Sequence, residues 1–217
     1  MRNSIIFTLL IMFISAQVDG QVSLGIRGGL NLSDYEAGSR PEGLRMPLLP
    51  SPAIGGFLNF RTGKHFSIQT EVNFSPLGRQ FRSIEGDMRE VTRIQYLNSN
   101  LLANFSVGSK SLRFYGEVGP YAGYALWGRT SWDYRNVEPL DDGTRNIDFE
   151  DDNLERYDFG LLVGMGIKLM VGPGYTFLDG RIGHGFADLR RREVEGTRPW
   201  YNRFLNFSTG YVWPIGN

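Results

Sequence analysis

At 217 residues the chain is long enough for one large domain, and its 23 basic residues balance 23 acidic ones, so no global charge draws it toward nucleic acid. Cysteine is absent, which removes disulfides, thiolate metal sites and cysteine nucleophiles together. The 28 glycines lie in no low-complexity tract and accompany an aromatic content of 13%, so they belong to folded structure.

The chain opens on "MRNSIIFTLLIMFISAQVDGQ". Arg2 supplies a basic start, Ile5 to Ile14 an apolar stretch, and Ala16 or Gly20 a small residue for a signal peptidase. Residues 1–20 are therefore expected to be a cleaved secretory signal peptide, and 21–217 the domain. No later segment approaches the ~20 apolar residues of a membrane helix, so a crossing of the bilayer would have to use strands.

Strands announce themselves by period two. From Val22, Leu24, Ile26, Leu30 and Leu32 oppose Ser23, Gly25, Arg27, Gly29 and Asn31. In "FSIQTEVNFS", Phe66, Ile68, Thr70, Val72 and Phe74 alternate with Ser67, Gln69, Glu71, Asn73 and Ser75. From Asp158, Phe159, Leu161, Val163, Met165 and Ile167 oppose Gly160, Gly164, Gly166 and Lys168. The triplet N-F-S at Asn73, Asn104 and Asn206, and N-L-S at Asn31, fall into this register with Asn and Ser on the polar face. That favours strand alternation over glycan acceptors, which belong on exposed loops. The pattern predicts eight strands, near 22–32, 53–61, 66–76, 95–106, 113–127, 157–169, 175–188 and 202–213.

Connections between them alternate in length. Short turns fall near 62–65, 108–111 and 170–174, and the other gaps are long and charged. The expected fold is thus all-β: an eight-stranded antiparallel up-and-down transmembrane β-barrel with short periplasmic turns and long extracellular loops. Aromatics point the same way. Phe60, Phe66, Phe105, Phe114, Phe177, Tyr211 and Trp213 mark the short-turn end, and Phe74, Tyr124, Trp127, Phe159 and Phe186 the long-loop end, as two interfacial girdles would. Pro120 interrupts the fifth strand and is expected to form a bulge there, since proline has no N–H to give the ladder.

An eight-stranded barrel has an interior that side chains fill. The register sends Arg27, Arg61, Lys168, Arg181 and Arg203 inward with Glu71, Glu117, Asp158 and Asp179, a set able to satisfy its own charges as a structural network rather than an ion path.

These residues resemble the PorT-type outer-membrane β-barrel proteins of Gram-negative bacteria. The likeness lies in "GIRGGLNLS", "IQTEVNFSPLG", "GEVGPYAGY", "DFGLLVGMGIKL" and "GRIGHGFADL", in that order, and covers nearly the whole mature chain. The fourth strand, "YLNSNLLANF", lacks the Glu-Ile-Pro often seen in the family. "SxGxxWPI" at Ser208 to Ile215 looks like an assembly-machinery signal, although Gly216 and Asn217 replace a terminal aromatic. The resemblance implies outer-membrane location and no known enzyme chemistry.

Three function classes follow: a non-enzymatic surface barrel serving envelope structure or partner recognition, a small lipid- or peptide-modifying enzyme, and a soluble calyx. An accessory role in secretion is a variant of the first. The enzyme needs a nucleophile beside an oriented base, and the two histidines, His65 in a short turn and His184 on the outward register, have no obvious companions. The calyx would need an apolar interior, leaving Arg27, Glu71 and Lys168 outside. The surface barrel is the reading adopted, with no cofactor, no metal and no nucleic acid. Its expected partners are outer-membrane lipid including lipopolysaccharide, the assembly machinery, and an envelope protein.

Recognition is expected in the loops. Ten carboxylates lie between Asp133 and Asp158, among them Asp141, Asp142, Asp148, Glu150, Asp151 and Asp152, against Arg135, Arg145 and Arg156. The connection after the seventh strand carries Arg190, Arg191, Arg192 and Arg198, then Trp200 and Tyr201. Partial mutual pairing of these loops is the expectation; a divalent cation on the acidic loop with arginines on lipopolysaccharide phosphates is the sharper alternative.

Overall fold

The computed structural model describes residues 21–36, 43–85, 87–135, 141–191 and 199–215. The expected signal peptide, Arg192, Arg198 and the last two residues lie outside them. The described residues form ten strands: β1 (Val22–Glu36), β2 (Leu44–Arg45), β3 (Leu49–Arg61), β4 (Phe66–Ser83), β5 (Met88–Gly108), β6 (Leu112–Tyr134), β7 (Gly143–Asn146), β8 (Tyr157–Val171), β9 (Gly174–Gly185) and β10 (Tyr201–Ile215). Eight of them close a ring in which each pairs antiparallel with its sequence neighbours, and β10 returns to β1 from Val22↔Ile215 to Glu36↔Tyr201. Closure leaves no open ladder edge in the ring. The short strands β2 and β7 extend the upper sheet, β2 on β4 and β7 on β6.

Short turns and both ends of the ring sit together at one end. In the third turn Gly172 has φ +60, which a residue with a Cβ rarely adopts, so the tight reversal before Gly174 depends on glycine. At the other end β5 and β6 run to 21 and 23 residues, about twice the 9–11 that a tilted strand needs to cross a bilayer. The excess stands above the membrane.

The barrel is inside out relative to a soluble protein. Leu101 is 53% exposed and Met165 74%, whereas Glu71 and Asn104 are each 1% exposed. A continuous apolar exterior of this kind requires lipid. Phe60, Phe66, Phe105, Phe114 and Trp213 face outward at the short-turn end, and Tyr124, Trp127, Phe159 and Phe186 do so at the other. Phe177, expected in the first girdle, is buried instead, because it shares its parity with Asp179 and Arg181 and packs edge-on against Phe57.

Pro120 makes no bulge. The β5–β6 register is the same on both sides of it, Asn100↔Tyr121 and Ala103↔Val118, and the ladder simply lacks the intervening pairs. On its other side Pro120 stays opposite Leu161. The irregularity lies higher, where Gln95↔Trp127 gives way to Tyr96↔Ala125 and Leu126 is the extra residue. The seventh expected strand ends at Gly185, short of 188.

Candidate functional site

The membrane-level lumen is built from alternate residues of six strands around Glu71. Arg27 Nη1 lies 2.8 Å from Glu71 Oε1, and Arg181 reaches both Glu71 oxygens at 2.8 and 2.9 Å. Gln69, Asn73 and Asn100 donate their amides to the same carboxylate at 2.6, 3.0 and 2.8 Å. Asp179 is held by Arg27 at 3.0 Å, Ser208 Oγ at 2.5 Å and Tyr115 Oη at 2.9 Å. Arg27 also donates to Ser208. Arg181 Nε faces the Glu117 carboxylate in ion-pair contact, off a hydrogen-bond axis. Space for this comes from Gly164, where a Cβ would lie 2.8 Å from Arg181 Cγ.

A carboxylate so far from water is tolerated only when its lone pairs are filled and its charge matched. Of the repeated triplets, Asn73 and Ser208 donate to Glu71 and Asp179 and Asn206 accepts from Arg27 at 3.3 Å, while Asn31 extends the polar network by donating to Ser75 at 2.8 Å and accepting from Asn206 at 2.8 Å. Alternation alone located these residues; their role as ligands of the charged groups carried no separate sequence signal. The remaining cavity here is about 30 Å³, lined by Arg27, Asn31, Asn100 and Arg181 among others, space for a water or two.

Other predicted inward charges fare differently. Lys168 is buried, but its Nζ lies over the rings of Tyr115 at 4.4 Å and Tyr175 at 5.3 Å rather than among the carboxylates. Asp158 sits higher, accepting from Tyr121 Oη at 3.0 Å and Asn202 at 2.8 Å. Arg61 is at the short-turn mouth and exposed, 3.4 Å from Gln21. Arg203 points outward and is exposed, since Asn202 and Phe204 take the inward positions of β10.

Above this network the interior turns apolar. Leu77, Ile94, Tyr96, Ala125, Leu189 and Phe204 form one buried cluster with Phe149, which the acidic loop sends down into the mouth. Arg156 lies 4.1 Å over the Phe149 ring and donates to the Ala125 carbonyl at 3.2 Å. Trp200 and Leu154 pack on the same cluster. Phe149 and Leu154 give no signal in the charge pattern of the acidic loop, whereas Trp200 stands out in the sequence at the end of the basic one.

The loops do meet. Arg191 Nη1 lies 3.2 Å from Glu150 Oε1, and Leu154 bridges to Arg190. Arg190 is also engaged by Asp188 at 3.0 Å. Asp188 accepts the Trp200 amide too; despite partial burial, which acts upward, these hydrogen bonds hold its carboxyl below the ordinary value. Asp152 pairs with Arg145 at 2.8 Å, and Asp151 is exposed. Asp148 accepts the amides of Glu150 and Asp151, which hold its carboxyl below the usual range. Among the described residues no three acidic or histidine side chains converge as a metal site requires. His65 Nδ1 lies 2.9 Å from the Ser106 carbonyl, and His184 packs edge-on against Phe186 and at a tilt to Tyr201.

A family model described as outer membrane protein beta-barrel domain matches residues 15–191. The outer membrane protein OprG of Pseudomonas aeruginosa is 12% identical over 91% of this chain and 98% of that one, with a TM-score of 0.50. Outer membrane protein W of E. coli is 11% identical over 92% and 100%, with a TM-score of 0.43. No curated protein matches. The likeness to OprG is one of fold alone, but the family match spans most of the sequence: the chain belongs to the outer membrane protein β-barrel domain family, and its location is the outer membrane.

Proposed function

We propose that this barrel is a sealed, non-enzymatic display platform of the PorT type, which fixes charged loops at the cell surface for envelope structure or partner recognition. The observation that carries this reading is the filled interior. The Arg27–Glu71–Arg181–Asp179 cluster leaves a cavity of about 30 Å³, and the apolar cluster under Phe149 stands above it. Such an interior supports a structural stack rather than a conduit. The segments shared with PorT-type barrels support an envelope role, and the acidic and basic loops meeting at one rim support recognition there.

Two measurements test it. In planar bilayers the purified protein is expected to give no stepwise ion conductance; reproducible single-channel steps would overturn the sealed lumen. Asp151→Cys in intact cells is expected to react with a membrane-impermeant maleimide, and absence of reaction would overturn surface display.

A further inference from the structure

Above the outer girdle, arginines stand directly opposite one another on adjacent strands. Arg45 of β2 faces Arg82 of β4, and Arg82 faces Arg89 of β5. Lower down, Arg93 of β5 faces Arg129 of β6. Directly opposed residues share a face, and here it is the outer one, because Ile94 on β5 points into the apolar cluster. Strands lie about 4.8 Å apart, and like charges placed so are destabilising. Among the described residues none of these five arginines forms an ion pair. Beside them lie Asp133, opposite Arg89, and Asp142; these balance Arg89 and Arg93 in the groove they share, and leave Arg45, Arg82 and Arg129 in excess over the patch as a whole.

The place and shape of the patch indicate its counter-ion. Arg129 lies two positions beyond Trp127 and Arg93 four beyond Leu97, about 7 and 14 Å along their strands from the outward girdle. Interfacial aromatics mark the headgroup level, so the arginines begin where lipid headgroups do. A groove of about 530 Å³, lined by Arg89, Arg93, Ser131, Trp132 and Thr144, runs along this face. Arg93 is already oriented: its Nε donates to Ser51 Oγ at 3.1 Å and its Nη2 to the Pro50 carbonyl at 3.3 Å. The residue directly opposite it on β4 is Gly78. By contrast Arg190 and Arg191 are engaged by Asp188 and Glu150.

We propose that the Arg45–Arg82–Arg89 row and the Arg93–Arg129 pair bind phosphate groups on the sugar headgroup of the outer-leaflet glycolipid. Paired guanidinium forks match the several oxygens of a phosphate, which a single carboxylate would not need. The bound phosphates offset the cross-strand repulsion, so the barrel is clamped to the leaflet on its β2–β4–β5–β6 side. This rests on the surface-barrel reading but is separable from it, because the lumen plays no part.

The test uses the full-length protein in detergent, incubated with a diphosphorylated lipopolysaccharide-type glycolipid, with the same lipid dephosphorylated, or with inorganic phosphate, and followed by native mass spectrometry. Retention of the phosphorylated lipid is expected to fall roughly tenfold in the R93Q/R129Q variant and again in R82Q/R89Q. In lipid-free detergent R82Q/R89Q, which breaks no side-chain hydrogen bond among the described residues, should unfold no earlier than the parent, because repulsion has been removed. Equal retention by the variants, equal retention of the dephosphorylated lipid, or occupancy by millimolar inorganic phosphate to the same extent would overturn the proposal. A loss of stability of R82Q/R89Q in lipid-free detergent would do so as well, by assigning those arginines a structural role. The variants are expected to remain non-conducting, so failure here leaves the sealed-barrel reading standing on its own measurement.

Discussion

The two halves of the barrel interior are built on opposite rules within the same strands. At membrane level β5 turns Leu101 and Phe105 outward and Asn98, Asn100 and Asn104 inward. A few residues higher it turns Arg89 and Arg93 outward and Ile94 and Tyr96 inward. β4 and β6 make the same exchange, from Val72 outside and Glu71 inside to Arg82 outside and Leu77 inside, and from Val118 outside and Glu117 inside to Arg129 outside and Ala125 inside. The backbone is one continuous ladder, so the change comes from the surroundings. Lipid outside selects a polar core, and water outside selects an apolar one. The lower core is held by a few charge pairs, each dependent on its partners, whereas the upper core is held by many interchangeable apolar contacts.

That difference predicts how each half breaks. Glu71→Ala strands Arg27 and Arg181 in the lumen and is expected to cost about 3–5 kcal/mol, read as a lower urea midpoint for loss of the heat-modifiable folded band. Phe149→Ala should cost about 3 kcal/mol in the upper core alone. The acidic loop then becomes protease-sensitive while the urea midpoint of the barrel stays put; a matching fall in both would mean that the halves are one cooperative unit.

A smaller effect separates the upper core from solution chemistry. The Asp188 carboxyl titrates below its ordinary value in the folded protein, so its hold on Trp200 is complete above the ordinary carboxylate range of about 4 and is lost as pH falls through the lower folded value. Acidification below pH ~4 should therefore expose the β9–β10 connection to an acid-active protease, and Asp188→Asn should reproduce part of this at neutral pH, at about 1 kcal/mol. Smallest of all is Glu150→Ala. Its pair with Arg191 is exposed on both sides, and its loss should shift loop stability by no more than about 0.5 kcal/mol, with the remainder screened away at high salt.

The eight strands were legible wherever lipid sets the pattern, because Leu24, Ile26, Ile68 and Val72 then alternate cleanly with residues such as Arg27, Gln69 and Glu71. Where water takes over, the same period carries the opposite phase, and around Met88–Ile94 the mixture of Arg89, Glu90, Val91 and Thr92 shows no apolar face to read. That is why β4, β5 and β6 ran on past their expected ends. Arg203 was misplaced for the same reason: beside aqueous loops an outward arginine costs nothing, while Phe204 has a core to enter. Of the charged lumen, face and level were readable from parity. Which carboxylate each arginine meets depends on register between strands up to 152 positions apart, which no local pattern encodes. The arginine rows were invisible for that reason too, since Arg45, Arg82 and Arg89 become neighbours only through strand pairing.

The exchange of inside and outside along single strands is most directly tested by site-directed spin labelling, which the cysteine-free chain makes clean. Single cysteines at Val72, Leu101 and Arg89, all outward, would be labelled in a reconstituted bilayer and their collisions with oxygen and with a water-soluble nickel complex compared. Labels at 72 and 101 are predicted to favour oxygen as lipid-facing sites do, and the label at 89 to favour the nickel complex. Aqueous behaviour at 101, or lipid-like behaviour at 89, would contradict the account.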